Sequence, residues 1–304
     1  MSSAALEVAK DRLAQPIADN CREIDRLFAQ VLDIPADGTA RLIQAMRHAA
    51  VGGGKRLRPL LATASGSLFG VPRSQSLRVG LAVECVHVHS LIHDDLPCMD
   101  DDEVRRGKPT VHIAFDEATA VLAGDALLAL AFEILSCPDT HPDAERRCEL
   151  ASELARAAGS AGMAGGQMLD LLPQTSPTDL EAITRLQRLK TGALIGWAVE
   201  AGAILAQAPS APRLSLRGYA QNLGLAFQIA DDLLDVAGDE KIAGKKLRKD
   251  ERQGKQTFVS LLGEERARRQ AAMLVDQAID HLRDFGDRAE LMIAIALFAI
   301  HRDR

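Results

Sequence analysis

Aromatic residues are scarce in this chain of 304: one Trp, one Tyr and eight Phe amount to 3% of it. Residues favoured in strands are thin as well, while Ala and Leu abound, so the composition points away from sheets and toward an all-α protein. Cysteine is present but unpatterned. Cys21, Cys85, Cys98, Cys137 and Cys148 show no C-x-x-C and no metal-ligand spacing, and their odd number speaks for reduced thiols in a cytoplasmic protein rather than a disulfide framework. No uninterrupted apolar run reaches about 18 residues, so no membrane span is expected. The opening MSSAALEVAKDRLAQ lacks an apolar stretch of signal-peptide length. Excess positive charge is also missing, and a net charge of -6 makes general nucleic-acid binding a poor expectation. What remains is 47% hydrophobic and 26% charged residues, enough for a sizeable core and too balanced for disorder.

Helical patterns run over 3–31, 39–50, 57–69, 74–95, 116–136, 143–169, 178–206, 213–237 and 256–284, with a final apolar run at 288–300. Pro59 marks the start of the third. Breaks fall at glycines and prolines such as Gly52-Gly53-Gly54, Gly70/Pro72, Pro97, Pro138/Pro142 and Pro209/Pro212. Connections are short, and no repeat or low-complexity tract appears. The expectation is a single domain over 1–304, a helical bundle of about ten helices. The stretch 74–95 is apolar almost all round, the pattern of a helix in the middle of a bundle.

Two aspartate clusters interrupt these patterns. Asp231 and Asp235, with Asp232 between them, lie four apart and so project from one helix face, about 6 Å apart along the axis. Gln228 and Gln221 extend that polar stripe. The apolar stripe reads Leu216, Tyr219, Leu223, Phe227, Ala230 and Leu234. In the other cluster Asp94 and Asp95 end the apolar helix, Pro97 distorts it, and Asp100 follows. Carboxylates at a helix C-terminus oppose the dipole, so a cation there would reverse the local electrostatics. Oxygen donors without His or Cys suit Mg²⁺, which takes one or two carboxylates and fills its other positions with water and phosphate oxygens. A single cluster reads first as a solvated acidic helix end; two on otherwise apolar or amphipathic helices point to a metal-held anion.

Basic groups answer them. Gly52-Gly53-Gly54-Lys55-Arg56-Leu57-Arg58-Pro59 is a glycine turn entering a helix start, where backbone N–H groups favour anions. It lacks P-loop spacing. Lys55 and Arg58, three apart, can converge on one phosphate, or merely cap the helix. Arg105, Arg106 and Lys108 follow the first cluster, either as surface pairs or as a phosphate clamp. Lys190-Thr191, Lys245 and Lys255 are further candidates. His87 precedes Asp94 by two turns, about 10.5 Å along one face, a distance suited to a second phosphate site, though a core histidine has the same spacing.

The ordered set GGKRLRP (53–59), ECVHVHSLIHDDLPCMDDDEVRRGKPTVH (84–112), LAGDAL (122–127), GMAGGQMLDL (162–171), KTGAL (190–194) and GLAFQIADDLLD (224–235) resembles the trans-prenyl diphosphate synthases, the bacterial farnesyl diphosphate synthases above all. The resemblance covers essentially the whole chain. It implies an all-α bundle around a central cavity, a homodimer, and elongation of dimethylallyl or geranyl diphosphate by isopentenyl diphosphate through ionisation, condensation and proton loss. It implies about three Mg²⁺ ions bound with the allylic diphosphate. Asp94, Asp95, Asp100 and Asp231 become metal ligands, with Asp232 and Asp235 supporting and Asp170 and Gln167 nearby. Arg105, Lys190, Lys245 and Lys255 would hold the allylic diphosphate. Lys55, Arg58, His87 and Arg106 would hold isopentenyl diphosphate. Thr191 and Gln228 would face the cation. His89 and Ser90, five and four residues before Asp94, would face the elongation cavity. Bacterial farnesyl synthases commonly carry Tyr or Phe where this chain has His89, which leaves a geranylgeranyl product as the alternative. A lyase-type terpene synthase and a non-catalytic partner subunit fit less well, given the second basic set and the intact aspartates.

Overall fold

In the computed structural model, residues 3–172, 179–237 and 256–300 are described. Helices dominate them: α1 (Ser3–Val31), α2 (Ala40–Ala50), α3 (Leu57–Leu68), α4 (Arg73–Asp94), α5 (Val111–Ala114), α6 (Glu117–Ser136), α7 (Ala144–Ala158), α8 (Met163–Leu171), α9 (Leu180–Gln187), α10 (Ala193–Leu205), α11 (Ser210–Ala237), α12 (Phe258–Leu262), α13 (Glu264–Asp280) and α14 (Glu290–Ala299). Among the described residues the only sheet is a hairpin of β1 (Val104–Arg105) and β2 (Lys108–Pro109), antiparallel, with Arg105 opposite Lys108.

Two helices that are apolar nearly all round occupy the middle. In α4 almost every residue from Ser76 to Val88 is buried. In α10 the same holds from Leu194 to Leu205, with Gly196 and Glu200 the exceptions. Helices α3, α6 and α7 pack around this pair, and α11 packs between α10 and α13. The scarce aromatics are used in the core with their polar ends satisfied. Trp197 Nε1 donates to the Leu150 carbonyl at 3.1 Å, and the Tyr219 hydroxyl donates to the Met292 carbonyl at 2.8 Å.

Three expected helices are divided. The stretch 143–169 bends between Gly159 and Gly162, which separate α7 from α8. The stretch 178–206 contains a π-helical turn at Arg188–Gly192. The stretch 256–284 breaks at Gly263, whose φ of 77° is in the left-handed region open to glycine. On α11 the packed stripe is rotated from its expected course. Leu216, Tyr219, Leu223 and Ala230 are buried as expected, but Phe227 and Leu234 are only half-buried, and Ala226, Ile229 and Leu233 take their place inside. By length and composition one described helix, α6, is apolar enough to cross a membrane, with a mean hydropathy of 1.8. It carries Asp125 and Glu133 and packs on α4 through a stripe of small residues including Ala120, Ala123 and Gly124. Those two acids confine its central apolar run to Ala126–Phe132, far short of a membrane span.

Candidate active site

The end of α4 gathers the first aspartates despite the proline that follows. The chain turns back so that Asp100 N–H donates to the Asp94 carbonyl at 2.8 Å and Asp102 N–H to the Asp95 carbonyl at 3.2 Å. These bonds satisfy carbonyls that the helix end leaves open, and they return Asp100 to Asp94. Asp101 adopts φ 52° in the turn. The hairpin then places Arg105, which donates to Asp95 Oδ1 at 2.6 Å and to Asp102 Oδ2 at 3.3 Å. Burial pushes the Asp94 carboxyl up to about 6, with Asp100 and Asp95 acting the same way against Lys190 and Arg105. Crowded, part-dehydrated carboxylates of this kind gain most from an added cation.

Lys190 and Thr191 sit on the π-helical turn. The extra residue in such a turn re-aims side chains relative to an α-helix. Lys190 Nζ donates to Asp170 Oδ2 of α8 at 2.7 Å. Thr191 Oγ1 donates to Gln228 Oε1 of α11 at 3.3 Å. The turn thus links α8, α11 and the end of α4. Gly166 makes the approach feasible, since a Cβ there would overlap the backbone of Lys190.

The glycine turn before α3 serves a neighbour. Gly54, at φ 75°, lies against the Arg106 guanidinium so closely that a Cβ would collide with it. Arg58 and Arg106 are both held below the usual arginine range, by burial first and by repulsion from nearby guanidinium groups. Glu84 and Asp231 oppose the shift at Arg58, so the second cluster lies within electrostatic reach of this residue. His87 is pushed well below its ordinary value by burial and by Arg58, Arg106, Arg105 and Arg56, and is neutral near pH 7. Lys55 places Nζ 4.6 Å from the centre of the Phe298 ring. Ser90 Oγ donates to the His87 carbonyl at 2.8 Å, and His89 Nδ1 is 3.0 Å from the Gly124 carbonyl of α6.

On α11, Asp231 and Asp235 are half-buried, but Asp232 is 4% exposed and turned inward. Its Oδ2 accepts from the Phe258 N–H at 2.9 Å and its Oδ1 from Gln228 Nε2 at 3.0 Å. The middle carboxylate therefore holds the start of α12. Lys245 and Lys255 lie outside the described residues.

Much of this opens on one cavity of about 390 Å³. Asp94, Lys190, Thr191, Arg58, His87, His89, Ser90 and Gln167 line it, together with Met99, Met163, Met168 and Leu171. Among the described residues, Arg58 Nε and both amide atoms of Gln167 are buried without a hydrogen-bond partner. Such atoms are costly unless something polar meets them. The aspartates offer oxygen only, which fits a hard divalent cation.

Arg56 escaped the sequence reading. Its side chain is 1% exposed, and it donates to Glu84 at 2.8 Å and Asp25 at 2.7 Å, with a further bond to the Ala50 carbonyl. The available signal was Glu84, a lone acid inside an apolar helix, which requires a buried cation.

The sequence profile of the polyprenyl synthetases matches residues 39–297. The chain belongs to the polyprenyl synthetase family. Among the similar members of that family is the farnesyl diphosphate synthase of Escherichia coli, 46% identical over 268 residues, covering 86% of this chain and 90% of the relative. A geranylgeranyl diphosphate synthase of Cyanophora paradoxa is 41% identical over 89% of this chain and 90% of its own. A solved apo structure of an FPP/GFPP synthase from Zymomonas mobilis superposes with a TM-score of 0.86 at 53% identity, covering 96% of this chain and 99% of that one.

Proposed function

We propose that this polyprenyl synthetase is a prenyltransferase that condenses isopentenyl diphosphate with dimethylallyl and then geranyl diphosphate to give farnesyl diphosphate. The carrying observation is the cavity, lined at once by Asp94 and Lys190, by Arg58 and His87, and by apolar Met and Leu side chains. Asp94, Asp95, Asp100, Asp170, Asp231 and Asp235 would hold Mg²⁺, about three ions, which would supply charge neutralisation for the leaving diphosphate. Arg105 and Lys190 bind that diphosphate directly, each already positioned by a carboxylate. Lys55, Arg58 and Arg106 bind the second diphosphate, and neutral His87 gives it a hydrogen bond without adding charge. The hydroxyl proton of Thr191 is committed to Gln228, so its oxygen lone pairs remain for the developing cation. The methionine and leucine wall excludes water that would capture that cation. The departing diphosphate takes the proton. A single domain over 1–304, a homodimer and a cytoplasmic location complete the reading.

The second reading is a C20 product. It is favoured by the Gly124 carbonyl, which holds the His89 ring against α6, leaving a smaller group on the cavity wall than an aromatic would. One assay separates the readings: pure protein, Mg²⁺, isopentenyl diphosphate and either dimethylallyl or geranyl diphosphate, followed by sizing of the products. A C15 product is expected. Mainly C20 selects the second reading, and no elongation from either substrate rejects both.

A further inference from the structure

His89 and His93 lie four apart on α4 and so share a face. Their rings meet edge to face with centroids 4.5 Å apart. Beside them Asp125 of α6, with its side chain 63% exposed, places Oδ1 3.9 Å from His93 Nε2. One ligand atom from each residue lies within 4.8 Å of the others. Both rings are pinned by backbone: His89 Nδ1 is 3.0 Å from the Gly124 carbonyl, and His93 Nε2 is 3.1 Å from the Val121 carbonyl. A Cβ on Gly124 would overlap the His93 imidazole, so glycine is what lets the ring sit against α6.

These contacts decide what the rings offer. A carbonyl only accepts, so His89 carries its proton on Nδ1 and keeps a lone pair on Nε2. Metal-ligating histidines are held in the same way, with the second nitrogen donating to a carbonyl or carboxylate. His93 Nε2 faces two oxygens, the Val121 carbonyl and the Asp125 carboxylate, so in the empty site it carries the proton and donates to the carbonyl; a cation bound there takes the place of that proton, which moves to Nδ1. Two imidazoles and one carboxylate suit Zn²⁺ and its neighbours far better than Mg²⁺.

We propose that His89, His93 and Asp125 form a transition-metal site that takes Zn²⁺ or Co²⁺, with water in the remaining positions. Ligand atoms around a four-coordinate Zn²⁺ lie about 3.3 Å apart. The exposed Asp125 side chain closes that distance by changing rotamer. An ion there ties α4 to α6 where both imidazoles line the cavity. The site stands whether or not the prenyl-transfer reading is right, because its readout is binding.

The test uses the full chain, stripped by chelator and returned to excess Mg²⁺ so that the oxygen sites are filled. Titration with Co²⁺ is expected to give the strong visible absorption of a nitrogen-ligated, low-symmetry ion at one equivalent per chain, displaced by Zn²⁺. His89→Phe and Asp125→Asn should each weaken Zn²⁺ binding by roughly tenfold or more. Zn²⁺ should raise the melting temperature of the wild type and not of either variant. Melting curves in Mg²⁺ alone show whether each variant is folded, and Asp125, being exposed, tolerates change best. Absence of the absorption, or equal Zn²⁺ affinity in wild type and both folded variants, would overturn the site and return any binding to the aspartate clusters.

Discussion

At the end of α4, Asp94, Asp95 and Asp100 are surrounded by cations that the chain itself supplies, Arg105 and Lys190, and are brought together by a turn. On α11 the matching trio stays on a continuous helix, and its middle member is spent on a backbone N–H of α12. Adjacent aspartates thus look alike in sequence and differ in use. The first pair is crowded charge, and half of the second pair is a structural clamp.

The largest expected effect tests the crowded end. Asp94→Asn should lower product formation by at least on the order of 10²-fold, the scale for loss of one electrostatic contact to a reacting group, while the melting temperature holds or rises. Steady-state kinetics with a parallel melt would show it, and unchanged turnover would remove Asp94 from the site. Asp232→Ala should behave in the opposite way. It orphans the buried Phe258 N–H and should destabilise by about 1–3 kcal/mol, read by urea unfolding, with Asp232→Asn recovering part through its remaining acceptor. A variant with native stability would mean that the clamp is dispensable.

The arginine-rich side yields a pH test. His87 is depressed in the fold, so the unfolded chain binds the extra proton first as acid is added. Its contribution is fully present above the unfolded value of about 6.5 and is lost as pH falls from there toward the folded value. Over that window the wild type should lose about 1.4 kcal/mol per pH unit from this group, and His87→Gln should not. Equal slopes in the two proteins would contradict the placement. The smallest effect is on product size: His89→Ala should lengthen the chain, and an unchanged product would show that the ring is not the cavity floor.

Most helix bounds were legible because Pro and Gly mark them, and both clusters were legible because carboxylates are rare on apolar helices. The π turn at Arg188–Gly192 was not. It is one extra residue within a helical pattern, and composition records nothing of it. The rotation of the α11 stripe escaped for a related reason, since which of several apolar residues is innermost depends on α10 and α13. Asp232 read as a supporting metal carboxylate on a par with Asp235 because its partner, Phe258, is 26 residues away. Arg56 read as one more cation in a basic run because Asp25 and Glu84 are farther still.

That ion cluster, with Arg56 and Glu84 buried and Asp25 partly exposed, has a practical consequence for anyone re-engineering the scaffold. Asp25, Arg56 and Glu84 come from α1, the entry to α3 and the middle of α4. Removing Arg56 or Glu84 strands a buried charge, typically at about 3–5 kcal/mol, whereas exchanging a buried ion pair for apolar residues of equal volume is often neutral or stabilising. One-at-a-time mutational scans will therefore score Arg56 and Glu84 as untouchable. A library that varies them together should find more robust proteins among the joint replacements, in a region that single-site data would have fenced off.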